Sequence, residues 1–199
     1  MKKLIRKKNK ITIIFDNNEF FDVDKIIIAT HANQALNLLD NPSNDEYNIL
    51  SKFKYTKNIA YLHSDNKYMP KRKEVWSSWN FLGEKKDDHS FSLTYWMNLL
   101  QKLNTEKNYF VSINPKQTPK QFYNKILFEH PIFNLETLEA QKKINSIQGY
   151  NNTWYCGSYC GFGFHEDSIQ SSAYVADLLN ANLPWKRPKD FFNRLQFVK

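Results

Sequence analysis

Two cysteines, five glycines and no long apolar run limit what this 199-residue sequence can be. With only Cys156 and Cys160, it lacks the thiols for a disulfide-built secreted fold. No stretch approaches the roughly 20 apolar residues that span a bilayer. The basic start, MKKLIRKKNK, has neither the apolar core nor the small-residue cleavage site of a signal peptide. No internal repeat or low-complexity block interrupts the chain. A cytoplasmic protein of one domain, or of two small ones, is the expectation.

The glycines are few enough for their positions to carry information. Three of the five are Gly157, Gly161 and Gly163. The short aromatic run Thr153-Trp154-Tyr155-Cys156 precedes them, and Glu166 and Asp167 open an apolar-periodic run through Leu179. Strand, glycine turn and helix N-terminus in that order let backbone approach a flat or anionic ligand. Glycine removes the Cβ barrier, and first-turn amides carry partial positive charge. The spacing is G-x3-G-x-G rather than G-x-G-x-x-G. The plainer alternative is a glycine loop leading into a helix capped by Asp167 or Ser168.

Aromatic residues make up 16% of the chain, and the net charge is +8. The excess sits in Lys2 to Lys10, in Lys67 to Lys73 and in the tail from Lys186. Lysine is abundant beside asparagine and isoleucine, so a solvated face is the first reading. The other is a surface for nucleic acid or acidic membrane.

Along the chain, Ile11 to Phe15 and Phe20 to Val23 predict two strands around the turn Asp16-Asn17-Asn18-Glu19. Ile26-Ile27-Ile28-Ala29 has the continuous apolar character of a strand buried on both faces of a parallel sheet. Thr30 and His31 stand at its C-terminal end, where open α/β sheets place ligands. Helices are predicted over Ala32 to Leu39, Asp45 to Phe53 and Leu135 to Ile144. Between the second and third, Asn58 to His63, Val75 to Phe81, Ser90 to Met97 and Tyr109 to Ile113 predict an aromatic antiparallel sheet. Turns at Ser64-Asp65-Asn66, Gly83 to Asp88 and Asn104 to Asn108 separate its strands, and Ile126 to Phe128 adds another. The parallel-type strand and the glycine segment flank this block, so one domain is interrupted by another. A dinucleotide-binding sheet starts with its own strand, glycine turn and helix. None precedes Ile11, and the chain reads as truncated on its N-terminal side.

Several stretches, collinear from Asp24 to Trp185, resemble one family. They are Asp24-Lys25-Ile26-Ile27-Ile28-Ala29-Thr30-His31-Ala32-Asn33-Gln34-Ala35-Leu36, Leu62-His63-Ser64-Asp65 with Met69-Pro70, and Trp76-Ser77-Ser78-Trp79-Asn80. Thr94-Tyr95-Trp96-Met97-Asn98, Glu129-His130-Pro131 with Phe133, and Trp154 through Asp167 complete the set. Together they resemble flavin-containing amine oxidase-like proteins, and among these the bacterial proteins described as predicted NAD/FAD-binding proteins. The resemblance implies an α/β plus α+β fold, in which a partial FAD/NAD(P)-binding domain is interrupted by an antiparallel-sheet substrate domain. Residues 1–40 and 149–183 would belong to the first, 41–148 to the second, and 184–199 to a basic aromatic tail.

The same resemblance implies noncovalent FAD and oxidation of a substrate by transfer to the flavin. The flavin would lie against Thr30, His31, Gly157, Ser158, Gly161, Gly163, Phe164, His165, Glu166, Asp167 and Ser168. Trp76, Trp79, Tyr95 and Trp96 would line the substrate pocket. Amine oxidases of the broad family carry Gly-Glu where this chain has Gly157-Ser158. A serine hydroxyl can hydrogen-bond a ribityl group but supplies no charge.

Other readings of these residues stay open. Cys156, Cys160 and His165 offer three metal ligands where structural zinc wants four, so buried inert thiols and no metal are expected. His31 either touches the cofactor or caps the next helix, and His63 and His130 read as satisfied core histidines. Adjacent Tyr95 and Trp96 point to opposite faces of a regular strand, so sheet packing competes with the pocket.

The leading expectation is the C-terminal part of an FAD-dependent oxidoreductase, inactive without its N-terminal FAD-binding half. Its substrate is a small molecule or lipid; some relatives are associated with cyclopropane fatty acid synthases. It has no specific nucleic-acid partner and at most peripheral membrane contact. The alternative is a noncatalytic basic module that binds acidic membrane or nucleic acid, with the salt dependence of phosphate contacts.

Overall fold

A computed structural model describes residues 1–7, 10–83 and 91–198. The chain begins with strands β1 (Lys3–Lys7), β2 (Lys10–Ile14), β3 (Phe20–Val23) and β4 (Ile26–Ile28), then helices α1 (Ala32–Leu38) and α2 (Asn44–Leu50). Next come β5 (Lys54–His63), β6 (Trp79–Gly83), β7 (Phe91–Trp96), α3 (Met97–Leu100), β8 (Phe110–Ile113) and β9 (Phe122–Ile132). It continues with α4 (Leu135–Lys143), β10 (Thr153–Tyr155) and α5 (His165–Leu178). Two compact units result: Met1–Tyr55 with Pro131–Lys199, and Thr56–His130.

In the first unit, β1, β2 and β3 form an antiparallel sheet. The expected turn joins β2 and β3, with the Phe15 amide donating to the Glu19 carbonyl at 2.9 Å and Asn18 at φ 63°. β1 was not anticipated, because its basic residues flank only two apolar ones, Leu4 and Ile5, of which Leu4 is fully buried. α2 starts at a reciprocal cap: Ser43 Oγ accepts from the Glu46 amide at 3.2 Å, and Glu46 Oε2 accepts from the Ser43 amide at 2.7 Å. Its Ile49 and Leu50 bury in the same core as Leu4, Ile28, Ala35 and Tyr155. The second unit therefore begins at Thr56 rather than residue 41, and it ends at His130 rather than 148.

Two further expectations need correction here. Residues 184–199 are not a separate tail. Leu195 is 1% exposed in the first unit's core, and Phe192 and Phe197 pack on Tyr174 with ring centroids 5.8 and 5.2 Å away. Nor is β4 buried on both faces. Ile28 is buried, but Ile27 is 49% exposed. Over β10, Val175 of helix α5 packs on Trp154 and Cys156.

The second unit is a five-stranded sheet in the order β6-β7-β8-β5-β9. Its registers align Trp79, Tyr95 and Val111 in one row, and Asn80, Thr94 and Ser112 in the next. Side chains alternate between faces along a strand, so these rows face opposite ways. The strand read from Val75 starts only at Trp79, because 73–75 form a 3-10 turn and the Asn80 side chain ties back to Ser77 at 2.6 and 3.1 Å. β9 is longer than its apolar Ile126 to Phe128 centre suggested. Beyond Gly83, the turn read at 83–88 lies outside the described residues, as does Ser90.

His63 is buried and reaches the polar row of Ser112 from the β5 position that pairs with Phe110. The Asp65 amide donates to its Nδ1 at 3.1 Å, so Nε2 carries the proton and donates to Ser112 Oγ at 2.8 Å. Ser112 also meets Thr94 Oγ1 at 2.7 Å. Burial lowers the His63 pKa and keeps the ring neutral. It is a satisfied core histidine.

Candidate functional site

The strand ends expected to meet do meet. β4 and β10 run parallel, pairing Ile26 with Thr153, Ile27 with Trp154 and Ile28 with Tyr155. The Cys156 amide extends the ladder to the Ile28 carbonyl at 3.2 Å. Both chains then leave the same end of the pair, through Thr30–His31 into α1 and through Gly157–Ser158 toward α5. A Cβ on Gly157 would lie 3.4 Å from the Thr30 carbonyl oxygen, so the two loops touch. Side chains pin them: Gln141 Nε2 donates to the Tyr159 and Gly161 carbonyls at 2.9 and 2.5 Å. Gln148 exchanges two hydrogen bonds with the Tyr155 backbone at 2.7 and 2.8 Å, and so occupies the outer edge of β10.

The glycines serve internal packing more than an open cradle. The space beside Gly161 is filled by Asp167, whose Cγ would be 2.7 Å from an added Cβ. Gly163 holds φ +90°, a conformation L side chains rarely adopt, and an added Cβ would lie 3.0 Å from the Phe133 ring. Asp167 is fully buried. Its Oδ2 accepts from the Phe164 amide at 2.7 Å, and its Oδ1 accepts from Arg194 Nε at 2.6 Å. The Arg194 guanidinium also lies 5.0 and 5.6 Å over the Phe162 and Phe164 rings. The helix thus starts at His165, earlier than a cap at Asp167 or Ser168 would place it.

Phe162, Phe164, His165 and Glu166 remain on the surface, and first-turn amides such as those of His165 and Glu166 have no acceptor within their own helix. Ser158 is half-buried and accepts at its carbonyl from the Gly161 and Gly163 amides at 3.2 and 3.1 Å. The Ser168 carbonyl accepts from Ser172 Oγ at 2.7 Å. His31 precedes α1 as its N-cap and stacks on Tyr55 at 4.4 Å. Thr30, His31 and residues 157–168 are therefore brought to one end of the strand pair.

The four candidate pocket aromatics do not converge. Trp79 packs on Tyr95 on one sheet face at 5.1 Å. Trp76 packs on Trp96 at 5.3 Å and on Phe110 at 5.8 Å on the other. Both buried-side indoles are satisfied structurally, Trp76 by the Pro70 carbonyl and Trp96 by Asn108 Oδ1. His130 meets the Asn58 side chain at 2.9 Å. Cys156 and Cys160 are buried and free, with burial raising both thiol pKa values. Among the described residues no group of three or more His, Cys, Asp or Glu could hold a metal ion, and no helix is long and apolar enough to cross a membrane.

A buried ionic cluster behind β10 escaped the sequence reading. Arg6 binds both Glu46 oxygens at 2.5 and 2.7 Å, and the Tyr155 hydroxyl donates to Glu46 Oε1 at 2.6 Å. The side chains of Arg6 and Glu46 are 3% and 0% exposed. Burial alone would raise the Glu46 pKa, but the hydrogen bonds from Arg6, Tyr155 and the Ser43 amide hold it below its ordinary value. The pattern Ser43-x-x-Glu46 was a visible capping signal; its partner forty residues upstream was not.

No protein-family model and no curated protein matches the sequence. Solved structures do. A fatty acid isomerase from P. acnes that produces CLA matches 90% of this chain over 46% of its own, at 14% identity and TM-score 0.54. An Exiguobacterium protein designated a protoporphyrinogen oxidase matches 88% over 45%, at 8% identity and TM-score 0.58. A putrescine oxidase variant matches 90% over 48%, at 9% identity and TM-score 0.56. The chain thus spans about half the length of the solved structures it matches, and over nearly all of its own length it shares their mixed helix and sheet fold.

Proposed function

We propose that this chain is the C-terminal part of an FAD-dependent oxidoreductase of amine oxidase-like type. The observation that carries the reading is the parallel β4–β10 pair, with Thr30–His31 and the start of α5 issuing from one end. Such strand ends are where open α/β folds bind nucleotides. The fit is to the flavin end of FAD only. The His165 and Glu166 amides would hold the pyrimidine side, with Ser158, Thr30 and His31 beside them, while Gly161, Gly163 and Asp167 keep α5 at its entry angle. When bound, FAD supplies the two-electron acceptor, and the partial positive charge of the α5 N-terminus would stabilise the reduced ring. The sequence has no G-x-G-x-x-G turn for the pyrophosphate. That contact falls to a second half of the fold, for which the exposed Ile27 side of β4 is the natural neighbour.

Co-expression with the upstream coding sequence should yield a yellow protein whose visible absorption bleaches on reduction. Proline at position 166 removes one donor amide at a first-turn site that tolerates it. The Glu166→Pro product should keep its circular dichroism and lose flavin absorbance severalfold. A well-folded, colourless product that takes up no added FAD would reject the proposal.

A further inference from the structure

The second unit carries an apolar cavity and a basic one whose linings are in contact. The first, about 490 Å³, is lined by Ala60 and Leu62 of β5, Val111 of β8, Ile126 and Phe128 of β9, and Met97 of α3, among others. Tyr109 stands at its edge. The second, about 440 Å³, is lined by Ser64, Asp65, Lys107, Lys120, Phe122 and Tyr123, among others. Tyr109 of the first touches Tyr123 of the second, with ring centroids 5.8 Å apart, and Lys107 Nζ lies 6.0 and 5.1 Å over the two rings. Both volumes lie within the roughly 300–1,000 Å³ of small-molecule sites.

We infer that these neighbouring cavities together bind a long-chain carboxylate, its alkyl chain over β5, β8 and β9 and its carboxylate at Lys107 and Lys120. Charge selects the occupant. Two ammonium groups, the Tyr123 hydroxyl and Ser64 Oγ, 3.0 Å from that hydroxyl, stand at the polar end. Asp65 is the single carboxylate there among the described residues, and its Oδ1 accepts from the Lys67 amide at 3.1 Å within its own turn. An alkylamine would face a net positive end, whereas a carboxylate would accept from several donors. Gln101 and Asn124 add no charge to the apolar end. As a substrate site this rests on the flavoenzyme reading; as a binding site it does not.

Calorimetric titration of the whole chain with laurate, without flavin, tests it. Saturable one-to-one binding is expected, weaker on the order of tenfold for decanoate because two methylenes are lost. Dodecylamine should not bind. Ile126 is 43% exposed, so Ile126→Arg should fold normally and abolish laurate binding. Lys107→Gln should weaken it at least fivefold. The inference fails if the natural sequence shows no saturable laurate binding, or if neither variant changes it. It also fails if association appears only with phosphatidylglycerol vesicles, which would make this surface a membrane face. A chain that binds laurate but forms no flavoprotein would keep the site and reject the oxidoreductase.

Discussion

Replacing Glu46 by glutamine lowers the unfolding free energy of the chain by about 3–5 kcal/mol, measured by urea denaturation. The figure is that for removing one partner of a buried ion pair. Arg6, 3% exposed, would keep its charge in the core with no carboxylate against it. Arg6→Met should cost a similar amount for the mirror reason. Replacing both with apolar residues of similar volume should recover most of the loss, because the cost is that of the stranded charge rather than of the pair. Acid should imitate the variant. The Glu46 pKa is held below its ordinary 4.5 in the fold, so its contribution is complete above that value and is lost as the pH falls through the lower one. A loss below about 1 kcal/mol for Glu46→Gln would mean that the cluster opens to water.

Alanine at position 161 should destabilise the chain by about 1–3 kcal/mol, the range for forcing extra volume into a packed site. The added methyl points at the Asp167 side chain, which cannot retreat without releasing the Phe164 amide. Asp167→Ala removes that capping bond, at about 0.5–2 kcal/mol. The two changes act on one contact, so the double variant should cost clearly less than the sum of the singles. Strict additivity would show that Gly161 is required for another reason. Because Gly161 and Asp167 set how α5 enters, flavin uptake should fall along with stability.

Much of the second unit was legible from the sequence. Alternation in Thr94-Tyr95-Trp96-Met97 already placed Tyr95 and Trp96 on opposite faces, and the registers with Trp79 and Phe110 bear this out. Helices α1, α2, α4 and α5 followed from apolar spacing and the β2–β3 turn from Asp16-Asn17-Asn18-Glu19, whereas α3 begins at Met97, read as the end of a strand. What stayed hidden depends on distant partners. β1 reads as a lysine run until Leu4 meets Leu39 and Arg6 meets Glu46. The last sixteen residues read as a tail until Arg194 reaches Asp167 and Leu195 enters the core. The apolar cavity draws one to three residues from each of three strands and others from α3 and the loop after it, so no local pattern announces it. Glycine spacing located the loop at residues 157–163 but could not tell space reserved for a ligand from space filled by Asp167 and Phe133.

Amide hydrogen exchange on the co-expressed flavoprotein, with and without FAD, tests the central claim most directly. Flavin binding at the strand-pair end should slow exchange at His165 and Glu166 and around Thr30–His31, with smaller effects along β1 to β3. Bound flavin that leaves exchange at these positions unchanged would contradict the account and put the cofactor elsewhere.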